Sequence, residues 1–495
     1  MKKLVVTSFF IILTCIHIFG QNRYYLKLED KSIISSLCDS CDMQTCNDSF
    51  NDFLKEYGAK SCNKAFPNAK SEWLNSIVVL HCSKTIEKEN VKKKLGNIIS
   101  LVEKIEEVPD MVGACIPNDI NQNQTTYLNL IRASEAWEIA CGLPMLPMAI
   151  NDVSFNIDHE DIADNVVGSD GSAHDVTDFH GTAVAGLASA VSNNGIGIAG
   201  TSMNAAMYLS AQNWADNSKI LSLATQGYRV INCSWLNSCQ YSVVVDSLYK
   251  EIRDVWNTVV VFGAGNSDSH CGSRSAFVYP ASYDYVVSVT SVGHLNERGY
   301  VSPIWGMADW KDCHEAVIGD TTTTYHHNSK VDICAPGYNV YSTYSNNSYS
   351  GTWGTSFAAP LVSGTINIMA SVNPCLTAEE LIDMIKSTSD ASIYNIPENA
   401  NYIGLLGDGR LDMYEAVNAA AESATENITT TYNVNTPTVI QSNYAVKVQA
   451  PLNINSSSLL IKTRKFVEIT GELTVQPNCE FTIDVKSDNI INCNN

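Results

Sequence analysis

Gly354-Thr355-Ser356-Phe357-Ala358-Ala359-Pro360 is the most informative stretch of this chain. It places a serine between glycine and small residues, where a strand is expected to turn into a helix, and glycine permits the sharp backbone turn that such a corner needs. A hydroxyl at this corner can reach a substrate, although most serines in turns of this kind only cap a helix. Whether this serine is catalytic therefore has to be judged from the residues upstream of it.

Two upstream stretches supply a histidine and an aspartate. His180 stands in Asp178-Phe179-His180-Gly181-Thr182-Ala183-Val184-Ala185-Gly186, and Asp152 follows the apolar run Met148-Ala149-Ile150-Asn151. Aspartate, histidine and serine in this chain order form one of three known orders of a nucleophilic triad. On these residues the chain resembles the subtilisin family of serine endopeptidases.

Further blocks extend the resemblance from about Asn118 to about Ala420. They are Val259-Val260-Val261-Phe262-Gly263-Ala264-Gly265-Asn266, Val230-Ile231-Asn232-Cys233-Ser234-Trp235, Ile333-Cys334-Ala335-Pro336-Gly337 and Gly407-Asp408-Gly409-Arg410-Leu411-Asp412. The resemblance implies an α/β fold whose parallel sheet carries helices on both faces. Short apolar strands that alternate with small-residue helices indicate the same architecture. Strands are predicted over 148–150, 206–209, 230–233, 259–262 and 286–289, and a long buried helix over 356–370.

Serine-protease chemistry gives each carried-over residue a role. A serine hydroxyl is a poor nucleophile, so a base must take its proton, and histidine suits that role because its ordinary pKa lies near 6.5. A buried aspartate holds the imidazole in the right tautomer. The resemblance implies Ser356 as nucleophile, His180 as base and Asp152 as the orienting acid. Asn266, with the main-chain N–H of Ser356, is expected to bind the oxyanion.

Subtilisin relatives bind a peptide substrate as an added strand. The resemblance implies that Ser234, Trp235, Leu236 and Gly265 line this site. Leu236 and Asn237 stand where the family usually has a glycine, which predicts a narrower pocket next to the scissile bond. The alternative is that Trp235 and Leu236 merely pack.

The chemistry itself requires no cofactor, and structural calcium is the metal that the resemblance implies. Asp161 falls where many relatives place a carboxylate ligand, and Asn194 lies in Ser192-Asn193-Asn194-Gly195-Ile196-Gly197-Ile198, which resembles the loop that completes the site. An Asn-Asn-Gly sequence is also a plain turn. The pair His326 and His327 could suggest another metal, but its Thr-rich surroundings favour an exposed loop.

Other residues and other protein families are alternatives to this interpretation. Asp158 is an alternative acid and His174 an alternative histidine, but Asp158 follows no strand and no Gly-Thr follows His174. Sedolisins replace the histidine by a glutamate, and lipases place their serine in Gly-x-Ser-x-Gly, which Gly354-Thr355-Ser356-Phe357-Ala358 does not match. A catalytically silent relative that acts as a surface or binding protein is the second function class.

The first twenty residues predict a signal peptide. Lys2 and Lys3 precede an apolar core that ends near Gly20, and no later apolar run reaches the roughly 18 residues of a membrane span. A lipid anchor at Cys15 is the alternative. We therefore expect a secreted or cell-surface protein.

Sixteen cysteines in an exported chain predict disulfides. Cys38, Cys41 and Cys46 could instead hint at zinc. Cys233, inside an apolar strand, is expected to be a buried thiol.

Changes in composition divide the chain into four parts. Residues 1–20 are the signal peptide, 21–116 a small α+β propeptide by resemblance, 117–425 the catalytic domain and 426–495 a small all-β module. An ordinary accessory domain is the alternative to the propeptide, which is expected to inhibit the enzyme until the chain cuts itself between Ala114 and Thr126. Protein or peptide substrates are the expected partners. The net charge of −21 argues against nucleic acid, and nothing indicates an oligomeric state.

Overall fold

The computed structural model describes residues 12–13, 22–30, 32–33, 45, 47–64, 75–82, 84, 86, 88–104, 116–141, 143–170, 173–211, 216–304, 306–476 and 479–486. The chain divides into two compact units, Cys15–Gly113 and the remainder. The predicted signal peptide lies outside the described residues except for Ile12–Leu13, a short strand antiparallel to Phe466–Ile469. Cys38, Cys41 and Cys46 also lie outside them.

In its described residues, the N-terminal unit is an antiparallel sheet with two helices. Its strands lie in the order Ala59–Lys64, Ile77–Cys82, Asn22–Leu28 and Ile99–Lys104, and its helices are Asp48–Glu56 and Lys88–Leu95. The resulting β-α-β-β-α-β order is ferredoxin-like.

The larger unit is built on a seven-stranded parallel sheet, which confirms the predicted fold class. The strands lie in the order Ile333–Pro336, Val287–Val292, Val259–Gly263, Val230–Cys233, Met148–Asp152, Met207–Ala211 and Val166–Ser169. All five predicted strands are among them. Val166–Ser169 and Ile333–Pro336, at the two edges, were not predicted as strands.

Apolar side chains on successive strand residues enter cores on opposite faces of this sheet. Met148 and Ile150 belong to one core and Ala149 to the other, as the period-two alternation of a strand requires. Asn217–Thr225 and Val243–Asp254 cover the second face. The helices that pack into the first core are Thr125–Leu130, Ala133–Ala140, His180–Ser189, Thr355–Val372, Ala378–Ser387 and Met413–Ser423.

Thr355–Val372, the central helix, is buried along its whole length. It corresponds to the helix predicted over 356–370. Among the described helices it is long and apolar enough to cross a membrane, and all of that length lies inside the fold.

Short elements complete the unit. The hairpins are Val301–Ser302 with Gly306–Met307 and Val340–Tyr344 with Ser348–Thr352. The 3-10 helices are Ala163–Asn165, Thr321–Thr323, Ser345–Asn347, Ala391–Asn395 and Pro397–Tyr402.

The C-terminal segment forms a three-sided parallel β-solenoid. Its three sides are Thr425–Ile428, Ala445–Val448 and Phe466–Ile469; Tyr432–Val434, Leu452–Ile454 and Leu473–Val475; and Thr438–Ser442, Ser458–Thr463 and Glu480–Val485. Thr425 pairs with Ala445 and Ala445 with Phe466, so one coil takes about 20 residues. Inward valine, isoleucine and leucine side chains fill the interior.

One arginine of the solenoid contacts the carboxyl end of the central helix. Arg464 Nη1 donates to the carbonyl oxygens of Ser371 at 2.8 Å and Val372 at 3.3 Å. These carbonyls belong to the last turn of the helix, where no further helical N–H is available to them. The solenoid therefore caps the central helix, and Tyr444 and Ala445 extend the main core into it.

Cysteines occur both as disulfides and as buried thiols. A disulfide joins Cys239 to Cys271, and Cys141 and Cys375 are also disulfide-bonded. Cys233 is a buried thiol, as predicted.

Candidate active site

Ser356 lies in the first turn of the central helix. Gly354, just before the helix, has φ of +138°, a conformation that favours glycine, and its N–H donates to the carbonyl of Gly337 at 2.7 Å. The glycine thus allows the chain to leave the Ser348–Thr352 strand and enter the helix at once. This places the Ser356 hydroxyl at the corner that the sequence predicted.

Asp152 and His180 meet across the ends of a strand and a helix. Asp152 is the last residue of its strand, His180 the first of its helix, and His180 Nδ1 lies 2.7 Å from Asp152 Oδ1. The main-chain N–H of Val153 also donates to this oxygen, at 2.8 Å. Gly181 makes the approach possible, since a Cβ there would lie 2.2 Å from the carbonyl oxygen of Ser154.

The pKa of His180 is raised above its usual 6.5. Burial opposes the imidazolium, but the charge of Asp152 and the hydrogen bond to it outweigh burial, and Asp178 adds to their effect. The imidazolium is therefore stabilised where it stands. This is the electrostatic environment that a proton-accepting histidine requires.

Asp178 is a supporting carboxylate to which the sequence assigned no role. Its Oδ1 accepts from the main-chain N–H of His180 at 2.8 Å, and its Oδ2 from the hydroxyl of Ser154 at 2.5 Å. Asp178 thereby fixes the start of the His180 helix against the segment that follows Asp152. Its position two residues before His180 is the only sequence signal for this role.

Ser234 connects the predicted peptide-binding strand to the central helix. Its hydroxyl donates to the carbonyl of Ser356 at 2.7 Å. Pro360, four residues further along the helix, has no N–H to offer that carbonyl, so Ser234 supplies the missing donor. Ser356 Oγ donates in turn to the carbonyl of Ser234 at 3.4 Å. A hydrogen bond from Ser356 Oγ to His180 would have to replace this contact.

The Trp235 side chain packs inward. Its indole N–H donates to Asn151 Oδ1 at 2.8 Å, and its ring meets Phe262 edge-on at 5.2 Å. Within the described part of the chain, the main-chain groups of Trp235 and Leu236 make no hydrogen bond, which leaves them available to an added strand. Leu236 is half-buried.

The amide of Asn266 is held by Thr355. Asn266 Oδ1 accepts from Thr355 N at 2.8 Å and from Thr355 Oγ1 at 3.0 Å, while Thr355 Oγ1 accepts from Gly265 N at 3.1 Å. Because both Thr355 groups donate, the oxygen end of the amide is fixed and Nδ2 is left as a free donor. The sequence predicted Asn266 but not the contribution of Thr355.

A cleft of about 460 Å³ opens beside Asn266. Its walls are Thr322, Thr323, Tyr325, Tyr338 and Trp353 with Asn266 itself. Tyr338 follows the edge strand Ile333–Pro336, which lies on one side of Val259–Gly263, the strand that leads to Asn266. Ser234 follows the strand on the other side of Val259–Gly263. The cleft and the Ser234–Leu236 segment therefore flank Asn266 on opposite sides.

Asp161 and Asn194 are brought together as predicted, next to a third residue. Asp161 Oδ1 accepts from Asn194 Nδ2 and its Oδ2 from Ile198 N, both at 2.8 Å, and burial raises its pKa to about 7. Asp119 Oδ2 accepts from Asn194 N at 2.9 Å, and Asp119 Oδ1 is buried without a hydrogen-bond partner among the described residues. No set of three or more metal-ligating side chains occurs in the described ranges.

The alternative acid and histidine lie on the surface. Asp158 Oδ2 and His174 Nε2 are 3.6 Å apart in an exposed pair. The predicted exposed loop around His326 and His327 is wrong, since His326 is fully buried and His327 half-buried. Their ring nitrogens face main-chain carbonyls, which accounts for two histidines inside the fold.

The comparisons with known proteins agree on one family. A model described as the subtilase family matches residues 94–423. Thermitase of Thermoactinomyces vulgaris is 32% identical over 61% of this chain and 99% of its own length, and subtilisin DY of Bacillus licheniformis is 32% identical over 42% and 70%.

Two further matches are less similar in sequence. The halolysin-like extracellular serine protease Nep of Natrialba magadii is 29% identical over 55% of this chain and 49% of its own length. A solved structure titled as proteases from Pseudoalteromonas arctica aligns with a TM-score of 0.49 and 24% identity, over 61% of this chain and 99% of that one.

Proposed function

The chain belongs to the subtilase family and is a serine-type peptide hydrolase, and we propose that it is a secreted, self-processing endopeptidase. Ser356 would be its nucleophile, His180 its general base, Asp152 the carboxylate that orients the imidazole, and Asn266 its oxyanion donor. The observation that carries the proposal is the 2.7 Å contact between His180 and Asp152, made beside the helix whose first turn contains Ser356.

The chemistry follows from these positions. Ser356 Oγ forms a bond to the scissile carbonyl carbon while His180 Nε2 takes the hydroxyl proton, and the carbonyl electron pair moves onto oxygen. Asn266 Nδ2 and the Ser356 N–H donate to this oxyanion. The C–N bond then breaks as His180 returns the proton to the leaving amine. Water, deprotonated by His180, releases the acyl group in the same way.

A fluorophosphonate, which reacts with activated serines, tests the nucleophile. We expect mass spectrometry of the labelled mature protein to place the tag on Ser356, and His180→Ala and Asp152→Asn to slow labelling strongly. The matched controls are His174→Ala and Asp158→Asn, which alter the same residue types on the surface. Folded mature protein that takes no label would favour the silent binding relative.

Export and self-processing form a separate part of the proposal. The extracellular description of the Natrialba relative and the predicted signal peptide support export. The ferredoxin-like unit ahead of the catalytic residues supports a propeptide. In a Ser356→Ala protein, N-terminal sequencing should find the junction between residues 114 and 126 intact. The same cut in that variant would argue against self-processing.

Calcium binding next to Asp161 is the third part. Asp119 and Asp161 are buried carboxylates, and Asp119 Oδ1 has no hydrogen-bond partner among the residues that the structure describes. They fit the oxygen ligands that calcium prefers. Asn194 turns its NH₂ toward Asp161, so its oxygen would have to be presented by rotation of the amide. We expect calcium to raise the melting temperature of the wild type but not that of Asp161→Asn. Magnesium serves as the control ion.

A further inference from the structure

The segment from Met307 to Lys330 has no role in the proposed chemistry, yet it carries a histidine next to the oxyanion donor. His326 is fully buried. Its Nε2 lies 3.0 Å from the carbonyl oxygen of Ser267 and its Nδ1 3.4 Å from that of Ala276. The imidazole therefore faces the residue directly after Asn266.

The main chain of His326 engages the residue directly before Asn266. His326 N donates to the carbonyl of Gly265 at 2.9 Å, and its own carbonyl accepts from Thr290 Oγ1 at 2.5 Å. Gly265 has φ of +121°, and a Cβ there would lie 2.8 Å from His326 Cδ2. The ring thus packs against the open face of this glycine.

We infer that His326 is a positioning residue that holds both neighbours of Asn266 and so keeps Asn266 Nδ2 aimed at the oxyanion. The inference rests on the proposed function. Thr355 fixes the amide oxygen from the side of the central helix, and His326 fixes the backbone on either side of the amide. Two independent supports thus converge on one donor.

A donor of this kind must be in place before the reaction begins. Fixed dipoles stabilise the oxyanion because they need no reorganisation when charge develops. A displacement of about 1 Å can lower turnover by roughly 10²-fold. A histidine that acts through Asn266 should therefore affect kcat and leave the binding of the ground-state substrate nearly unchanged.

The test is a double-mutant cycle between His326 and Asn266. Kinetics would be measured on mature protein with a peptide p-nitroanilide that the wild type cleaves. We expect His326→Ala to lower kcat by roughly 10- to 100-fold, with KM changed less than about twofold. In an Asn266→Ala background the same substitution should lower kcat less than about twofold further.

Two further variants separate positioning from folding. His326→Gln retains a side-chain donor for the Ser267 carbonyl and should restore part of the lost kcat. His327→Ala removes the adjacent imidazole, which contacts Tyr325 and His314 and neither neighbour of Asn266, and should leave kcat near the wild-type value. Melting temperatures identify any variant that fails to fold, in which case His326→Gln carries the cycle.

The outcomes distinguish this inference from the proposed function. Equal losses of kcat in the two backgrounds, or a loss confined to KM, would overturn the role of His326 while Ser356→Ala still abolished activity. If Ser356→Ala retained full activity, the proposed function itself would fail. A cycle in which the two effects overlap supports both.

Discussion

Thr355 Oγ1 lies 3.0 Å from Asn266 Oδ1, and this contact fixes which end of the Asn266 amide faces Thr355. The hydroxyl also accepts from Gly265 N, so its own proton is directed at the amide oxygen. The residue beside the proposed nucleophile thus orients the proposed oxyanion donor.

Thr355→Val removes this hydroxyl at nearly constant volume. We expect kcat to fall about fivefold, since one neutral hydrogen bond is worth about 1 kcal/mol and that energy is used in the transition state. Steady-state kinetics on a peptide amide would measure the fall. Thr355→Ser retains the hydroxyl and should stay within about twofold of the wild type, so equal losses in both variants would contradict this role.

The interaction of Asp152 with His180 predicts the pH profile. His180 must be neutral to accept a proton, and its pKa is raised, so kcat/KM should fall as the pH drops through a value above 6.5. Asp152→Asn removes the carboxylate that outweighs burial, so the pKa of His180 should decrease. It should also lower kcat by about 10⁴, through loss of the correct tautomer.

The pH dependence of kcat/KM, measured from pH 5 to 10, tests this expectation. Asp158→Asn, on the surface, is the control and should leave the profile unchanged. An acidic limb at the same pH in the wild type and in Asp152→Asn would contradict the assignment.

The burial of Asp309 predicts that the free energy of unfolding depends on pH. Burial raises its pKa to about 7, against 3.8 ordinarily, although His294 N donates to its Oδ1 at 3.0 Å. The folded state therefore holds a proton that the unfolded chain releases above about pH 4. The associated stabilisation is present below that pH and is lost as the pH rises through about 7.

Asp309→Asn should accordingly be more stable than the wild type at pH 8, by about 4 kcal/mol at most, and the difference should vanish toward pH 4. Urea unfolding at several pH values measures it. Asp158→Asn serves as an exposed control. A constant difference across the pH range would show that Asp309 does not titrate in this way.

Because Arg464 binds the end of the central helix, we expect the solenoid to stabilise that helix. It is buried and donates to carbonyls at the end of the central helix. Arg464→Met leaves these carbonyls without their donor and should cost about 1.5–3 kcal/mol for each lost hydrogen bond. Arg298→Met, which breaks an exposed pair with Glu398, should cost about 1 kcal/mol or less. Similar melting temperatures for the two variants would refute the capping role.

Local sequence patterns predicted most strands of the parallel sheet and the central helix of the larger unit. Val230–Cys233 and Val259–Gly263 were predictable because each is an apolar run that ends at a polar or small residue. The central helix was predictable from its small and apolar composition. The candidate residues Asp152, His180 and Ser356 could be chosen because their chain order and flanking motifs resemble those of the subtilisin family.

Contacts between distant residues were not predictable. The burial of His326 depends on Ser267, 59 residues earlier, and its own Thr-rich neighbourhood indicates a surface loop. The role of Ser234 depends on the missing N–H of Pro360 acting through the carbonyl of Ser356. The sequence predicted an all-β module over 426–495, but not that strands about 20 residues apart would pair, as Thr425 does with Ala445.

The contact between Arg464 and the central helix also means that the cap of this helix is synthesised after the candidate catalytic residues. The candidate catalytic residues have all been synthesised by residue 356, more than a hundred residues before the arginine that caps their helix. A nascent or prematurely terminated chain can hold every one of them and still lack the cap. The capped helix is thus available only to a chain that has been translated past residue 464.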